Sequence, residues 1–365
     1  MALKGKGFFI WKIRECENGD LQAIANTAAR AGLSHVLIKI ADGTYSYNID
    51  PSGVDLVPAL VQKLSAQGIE AWGWQYIYGA DPIGEANKAI QRINQTRVKG
   101  FVVDVEKEFK EPGKKLAAVK YMDRLRAAFP DLPVALSSYR FPSYHPMIPW
   151  KEFLDQCNYN MPQVYWVLAH NPSDQLARCV QEFQSITPYR PIIPTGSAYK
   201  SGQWQATPED IYSFLKAAEN LNLTAANFWE WSNCRNFIPG TWQEIAKYPW
   251  ASGSAKKDIV VQYIDGLNAR DVNRLVSLYN PSAVHINASR TIQGIGPIQA
   301  WYETFINQLM PNGKFTLTGY SGSGNSRHLT WIAVSDRGVV RNGNDTIGLL
   351  DGKITYHYTF FTLDN

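Results

Sequence analysis

Short apolar, β-branched or aromatic runs recur about every 30 residues from the N-terminus, with amphipathic stretches between them. The runs fall at residues 8–11, 35–40, 71–76, 100–106, 133–139, 161–166, 191–196 and 225–231. Helices are predicted over 20–31, 54–66, 84–94, 115–128 and 175–185. Asp20 is placed to cap the first of them, and Gly32 to stop it. Another opens at Thr207-Pro208, with Thr as N-cap and Pro in the first turn. Eight strand–helix units over roughly 250 residues match a (β/α)8 TIM barrel in count and length. An open doubly wound sheet usually has fewer units and a Gly-rich phosphate turn, and no GxGxxG follows the first run.

The pattern changes after Trp250. Residues 251–255 are small and flexible, so 251–257 is read as a linker between domains at 1–250 and 258–365. Helices are expected over 256–268, 269–279 and 297–308, and strands over 314–320, 328–334 and 353–363. Helices grouped before strands indicate a separate α+β domain.

Composition narrows the function classes. The net charge of +4 is small for 365 residues and shows no basic run, so no nucleic-acid partner is expected. Aromatics reach 13%, which suits ring-shaped ligands such as sugars as well as cores. The cysteines (Cys16, Cys157, Cys179, Cys234) have no CxxC pairing, so neither a zinc site nor a disulfide framework is read, and no metal or cofactor is expected. No apolar run has transmembrane length and no signal peptide is recognised, so no membrane partner and a cytoplasmic location are expected.

A TIM barrel carries its active site at the C-terminal ends of its strands. The fourth run, Gly100-Phe101-Val102-Val103-Asp104-Val105-Glu106, ends in two carboxylates two residues apart, which a strand points to one face. Such a pair is the equipment of general acid–base chemistry. The same rule offers Trp11, Lys39, Asp42, Gln75, Tyr76, Tyr139, Gln163, Tyr165, Trp166, Glu230 and Trp231 as substrate contacts. Polar groups among aromatic walls fit a carbohydrate ligand best.

The segment His35-Val36-Leu37-Ile38-Lys39-Ile40-Ala41-Asp42-Gly43 resembles the second strand of family 25 lysozymes, and Val103-Asp104-Val105-Glu106 resembles their fourth-strand Asp-x-Glu. Gly100, Asp104 and Glu106 also match the end of the family 18 chitinase motif, where Val102 stands in place of an Asp. Met161-Pro162-Gln163-Val164-Tyr165 and Phe228-Trp229-Glu230 resemble the sixth and eighth strands of that family, which implies Trp229 as a further substrate contact. The resemblance implies a glycoside hydrolase acting on N-acetylated amino sugars, chitin-like or peptidoglycan-like, with Glu106 as the acid and Asp104 as its partner, orienting it or positioning an N-acetyl group. The first strand lacks the Asp of family 25, so the resemblance also admits a barrel that binds glycans without cutting them.

Residues 260–271, with Ala283-Val284-His285, Ile292-Gln293-Gly294 and residues 351–358, are similar to SnoaL-like domains of the nuclear-transport-factor-2-like superfamily. This resemblance implies a curved sheet and helices closing a cone-shaped pocket, lined here by His285, Trp331, Asp345 and His357. It implies dimerisation, giving a homodimer, or small-ligand binding; a cyclase- or isomerase-like activity is the alternative.

Overall fold

The computed structural model describes residues 3–250, 258–322, 324–350 and 352–364. The expected linker at 251–257 lies outside the described residues. The chain divides into two compact units, the second made chiefly of Ala255–Asn365.

The first unit is a closed barrel of eight parallel strands: β1 (Gly5–Ile10), β2 (Leu33–Asp42), β3 (Glu70–Ile77), β4 (Gly100–Val105), β5 (Val134–Tyr139), β6 (Tyr159–Val164), β7 (Thr195–Ser197) and β8 (Ala225–Trp229). Neighbours in sequence pair in space, and β1 closes the ring by pairing with both β2 and β8. The helices around it are α1 (Leu21–Arg30), α2 (Leu56–Ala66), α3 (Pro82–Thr96), α4 (Lys114–Ala128), α5 (Trp150–Leu154), α6 (Pro172–Gln184), α7 (Pro208–Asn220), α8 (Trp231–Phe237) and α9 (Pro239–Lys247). Capping chemistry starts them where expected. Asp20 accepts from the backbone N–H groups of Gln22 and Ala23, and Thr207 Oγ1 from that of Asp210.

Alternation along the strands fills the lumen with Phe9, Leu37, Trp72, Trp74, Val102, Ala135, Met161, Ile193 and Ala225. Space is tight there: a Cβ on Gly100 would lie 2.5 Å from the Trp72 ring, so only glycine fits beside that indole. Val102, where a chitinase-like motif has an acid, is a wholly buried member of this apolar core.

The second unit is α+β. Helices α10 (Ile259–Ala269), α11 (Val272–Val276) and α12 (Ile295–Thr304) accompany a mixed sheet of β9 (Tyr279–Asn287), β10 (Arg290–Gln293), β11 (Lys314–Ser321), β12 (Ser326–Ser335), β13 (Gly338–Leu350) and β14 (Lys353–Phe360). The order is β10-β9-β14-β13-β12-β11, antiparallel except for the β9–β14 pair. The helix expected through Tyr279 is corrected: α11 stops at Val276 and Tyr279 begins a strand. Strands β9, β10 and β13 were also not predicted, because their polar residues and glycines hide the alternation. Among the described residues no helix is long and apolar enough to cross a membrane.

Candidate functional site

Asp104 is the penultimate residue of β4 and faces the lumen, 6% exposed. Its neighbour in register on β5 is Ser137, whose hydroxyl donates to Asp104 Oδ1 at 2.9 Å. From β6, Gln163 Nε2 donates to the same oxygen at 3.1 Å and to Glu106 Oε1 at 3.1 Å. One amide nitrogen thus ties both carboxyls together. The two oxygens stand no more than about 6 Å apart, short of the ~6.5–9.5 Å that admits a water between an inverting pair.

Burial, and then the charge of Glu106, push the Asp104 carboxyl up to about 8, against the opposing pull of Ser137, Lys39 and Gln163. Asp104 therefore carries a proton at neutral pH. Glu106 lies just past the strand and is half-buried, between Asp104 and solvent. Tyr165, two residues after Gln163, has its phenol raised well above the usual range by burial, with the charges of Tyr199, Asp104 and Glu106 adding to the effect. Tyr76 donates to Glu108 Oε2 at 2.6 Å.

The opposite wall is aromatic and cationic. Lys39 Nζ lies 4.5, 4.8 and 5.7 Å from the ring centroids of Tyr47, Trp74 and Trp11 and pairs with Asp42 Oδ2 at 2.8 Å. Strict alternation would put residues 39 and 42 on opposite faces. A register shift in β2 between Lys39 and Ala41 turns Asp42 back to meet Lys39. Tyr78 donates to the other Asp42 oxygen at 2.7 Å, and its hydroxyl is raised to about 12, first by burial and then by this contact. Trp229 packs against Phe9, Trp74 and Trp11, with ring centroids 5.7, 5.5 and 6.2 Å away. Trp11 is 41% exposed at the rim, which leaves a flat apolar face for a ligand.

The structure therefore brings Asp104, Glu106, Gln163, Tyr165, Tyr76, Lys39, Asp42, Trp11 and Trp229 to one end of the barrel, with Tyr139 beside Gln163 in register. Four other expected contacts face elsewhere. Gln75 is wholly buried on the outer side of β3, donating to Gly43 O and Glu85 O and accepting from Tyr121. Trp166 packs on Phe214, and Trp231 on Phe8 and Trp242. Glu230 caps α8, accepting from the backbone N–H groups of Ser232 and Asn233. Ser137 and Tyr47 were missed because only strand pairing and loop folding place them at the site.

The second unit holds a buried polar chain. Asp345 Oδ1 accepts from Trp331 Nε1 at 3.0 Å and from Thr359 Oγ1 at 2.6 Å, while Oδ2 faces His357 Nε2 at 3.0 Å. In the neutral tautomer His357 Nε2–H donates to Asp345, and Nδ1 accepts from the Tyr279 hydroxyl. Tyr279 has one proton, so at their 2.5 Å separation Tyr302 donates to Tyr279. Asp345, His357 and His285 are wholly buried. The His285 ring centroid is 4.8 Å from that of His357, and neither His285 nitrogen has a partner. Burial lowers His285 to about 2.

Residues 260–357 match the SnoaL-like domain family model. The second unit is a SnoaL-like domain. Similar solved structures include a SnoaL-like family protein from Agrobacterium tumefaciens str. C58, 24% identical over 28% of this chain and 94% of its own, with a TM-score of 0.26. Another is an NTF2-like protein of unknown function from Cytophaga hutchinsonii ATCC 33406, 17% identical over 29% and 88%, TM-score 0.25. A third, with a ketosteroid isomerase-like fold and in complex with trimethylamine, comes from Catenulispora acidiphila DSM 44928, 16% identical over 29% and 87%, TM-score 0.26. No curated protein matches the sequence. All four residues expected in the pocket of the SnoaL-like domain (His285, Trp331, Asp345 and His357) lie in its interior, and three of them belong to the Asp345 chain.

Proposed function

We propose that the barrel processes glycans containing N-acetylated amino sugars, with Glu106 as general acid and Asp104 as its partner. The observation that carries this reading is the Gln163 amide shared by Asp104 and Glu106 beside the aromatic wall. Glu106, the outer carboxyl, delivers a proton to the glycosidic oxygen. Asp104, held neutral by burial, carries the proton of the pair at rest and resupplies Glu106 with it; once ionised, it is placed to hold the N-acetyl group or steady the developing positive charge. The spacing of the pair argues against a water activated between the two carboxyls.

The test is turnover of an aryl N-acetylglucosaminide and of peptidoglycan fragments by the wild type and by Glu106→Gln. Turnover that disappears in the variant supports the acid. Sugar affinity without turnover in the wild type would make the barrel a glycan-binding module. The apolar Val102 in the lumen favours that outcome.

A second reading concerns the SnoaL-like domain. The chain Asp345–His357–Tyr279–Tyr302 can move a proton along fixed hydrogen bonds, which supports an isomerase- or cyclase-like acid–base activity on a small molecule. Binding of small cyclic ketones that is lost in His357→Gln would support it. The sheet of this domain exposes Ile332, Val334, Tyr356 and Phe360, a surface suited to a second copy of the chain; light scattering of the full chain tests it.

A further inference from the structure

Tyr139 lies beside Gln163 in the β5–β6 register and two residues beyond Ser137, so it continues the face that holds the acid pair. Its ring is held between two cation-forming groups. Lys110 Nζ stands 4.1 Å from the ring centroid, and the His145 ring stacks at 3.8 Å with a 30° tilt. Two groups this close to one centroid cannot share a face, so they sandwich the phenol. The next residue, Arg140, is half-buried with its guanidinium 5.0 Å from the Phe141 ring.

The charges of this cluster are unmatched. Among the described residues no carboxylate pairs with Lys110, Arg140 or His145. Their neighbour Arg178 differs, since it pairs with Glu182 at 2.9 Å. Burial, with the charges of Lys110 and Arg140 adding, lowers His145, and burial lowers Arg140. A half-buried arginine that shares the neighbourhood of His145 with Lys110, and has no counter-ion, is costly for the fold and suited to an anion that arrives from outside. Arg140 also feels the Tyr199 hydroxyl, and Tyr199 packs edge-on against Tyr165 at 5.7 Å. The cluster therefore borders the acid pair from the β5 and β6 side, while the buried lysine of the opposite wall, Lys39, is already paired with Asp42.

We infer that Lys110, Arg140 and His145 form an anion subsite beside Asp104 and Glu106, which takes an oxyanion substituent of the glycan, a carboxylate or a phosphate ester, next to the linkage addressed by Glu106. This rests on the glycan reading of the barrel and narrows its substrate class to acidic amino-sugar chains. A guanidinium fork matches either oxyanion, and the ammonium above Tyr139 adds charge without competing for the same geometry.

The test is calorimetry on the full-length Glu106→Gln chain, so that nothing is consumed, with three tetrasaccharides of equal length. One is the neutral N-acetylglucosamine oligomer, one carries lactyl carboxylates on alternate sugars, and one carries phosphate esters. At low salt an anionic chain is expected to bind about ten-fold tighter than the neutral one, the size of one charge-assisted hydrogen bond. The anion with the larger preference identifies the source. Adding Arg140→Gln or Lys110→Gln should bring the ratio of affinities towards one; Lys110 ends a short 3-10 turn outside the strands, so its variant keeps the test open if the arginine variant fails to fold. Equal affinity for all three chains overturns the subsite and leaves the glycan reading standing. A preference that survives both substitutions overturns it as well. Binding of none of the three overturns the glycan reading and the subsite together.

Discussion

Gln163 Nε2 donates to Asp104 Oδ1 across two strands at 3.1 Å, and the same nitrogen reaches Glu106. An amide is a neutral clamp: it orients two acids without neutralising either of them. Gln163→Leu should therefore lower turnover by about 10²-fold or more through lost orientation, in line with the value of general acid catalysis. A kcat that falls with little change in KM would identify loss of alignment, and unchanged kcat would remove Gln163 from the site.

Asp104 makes stability depend on pH in an unusual direction. Its carboxyl is raised to about 8 in the fold, whereas the unfolded chain ionises near the ordinary value of ~3.9. Between those values the native state holds one more proton than the unfolded state, so stability falls as pH rises from about 4 to about 8. Asp104→Asn removes that slope and should be more stable than wild type near pH 8, by on the order of 2 kcal/mol. Urea unfolding at pH 5 and pH 8 checks the sign; parallel pH profiles for the two proteins would refute it.

The Lys39–Asp42 pair should respond asymmetrically to loss of either partner. Side-chain exposures are 5% for Lys39 and 27% for Asp42. Asp42→Asn strands a buried ammonium among three rings and is expected to cost about 3 kcal/mol. Lys39→Met leaves a carboxylate that reaches water and still accepts from Tyr78, so the cost should be nearer ~1 kcal/mol. Denaturant midpoints of the two variants decide, and a larger loss from Lys39→Met would contradict the burial argument.

His285 is a buried imidazole with two unpaired nitrogens, a cost borne by the SnoaL-like domain. His285→Phe should stabilise that domain by about 1–2 kcal/mol at neutral pH while weakening any small-ligand binding. The native pKa of about 2 lies below the unfolded value of ~6.5, so wild-type stability is full above 6.5 and is lost as pH falls from there towards 2. The variant should lack this acid lability in a thermal melt followed from pH 7 to pH 4. A destabilised variant with no change in acid response would show that His285 has partners after all.

Trp11 offers a separable test of sugar binding. It is 41% exposed, so Trp11→Ala should alter stability little while lowering glycan affinity about ten-fold through lost stacking. Titration with an N-acetylglucosamine oligomer, beside a melting curve, reads both.

The sequence by itself determined the eight strand–helix units of the barrel and the acid pair at the end of β4. Hydrophobic period and helix caps are local properties, and two acids at i and i+2 share a face whatever surrounds them. It also carried the SnoaL-like pattern, although β9, β10 and β13 are too polar for alternation to announce them. Tertiary structure alone decided the partners. Ser137 meets Asp104 because β5 pairs with β4 in that register, and Lys39 meets Asp42 because a bulge reverses the alternation. Gln75, Trp166 and Trp231 sit near strand ends in sequence yet pack outside the lumen, since a one-residue step along a strand, or a turn into a helix, moves a side chain to the other face. Proximity along the chain chose the acids; strand register and lumen packing chose what touches them.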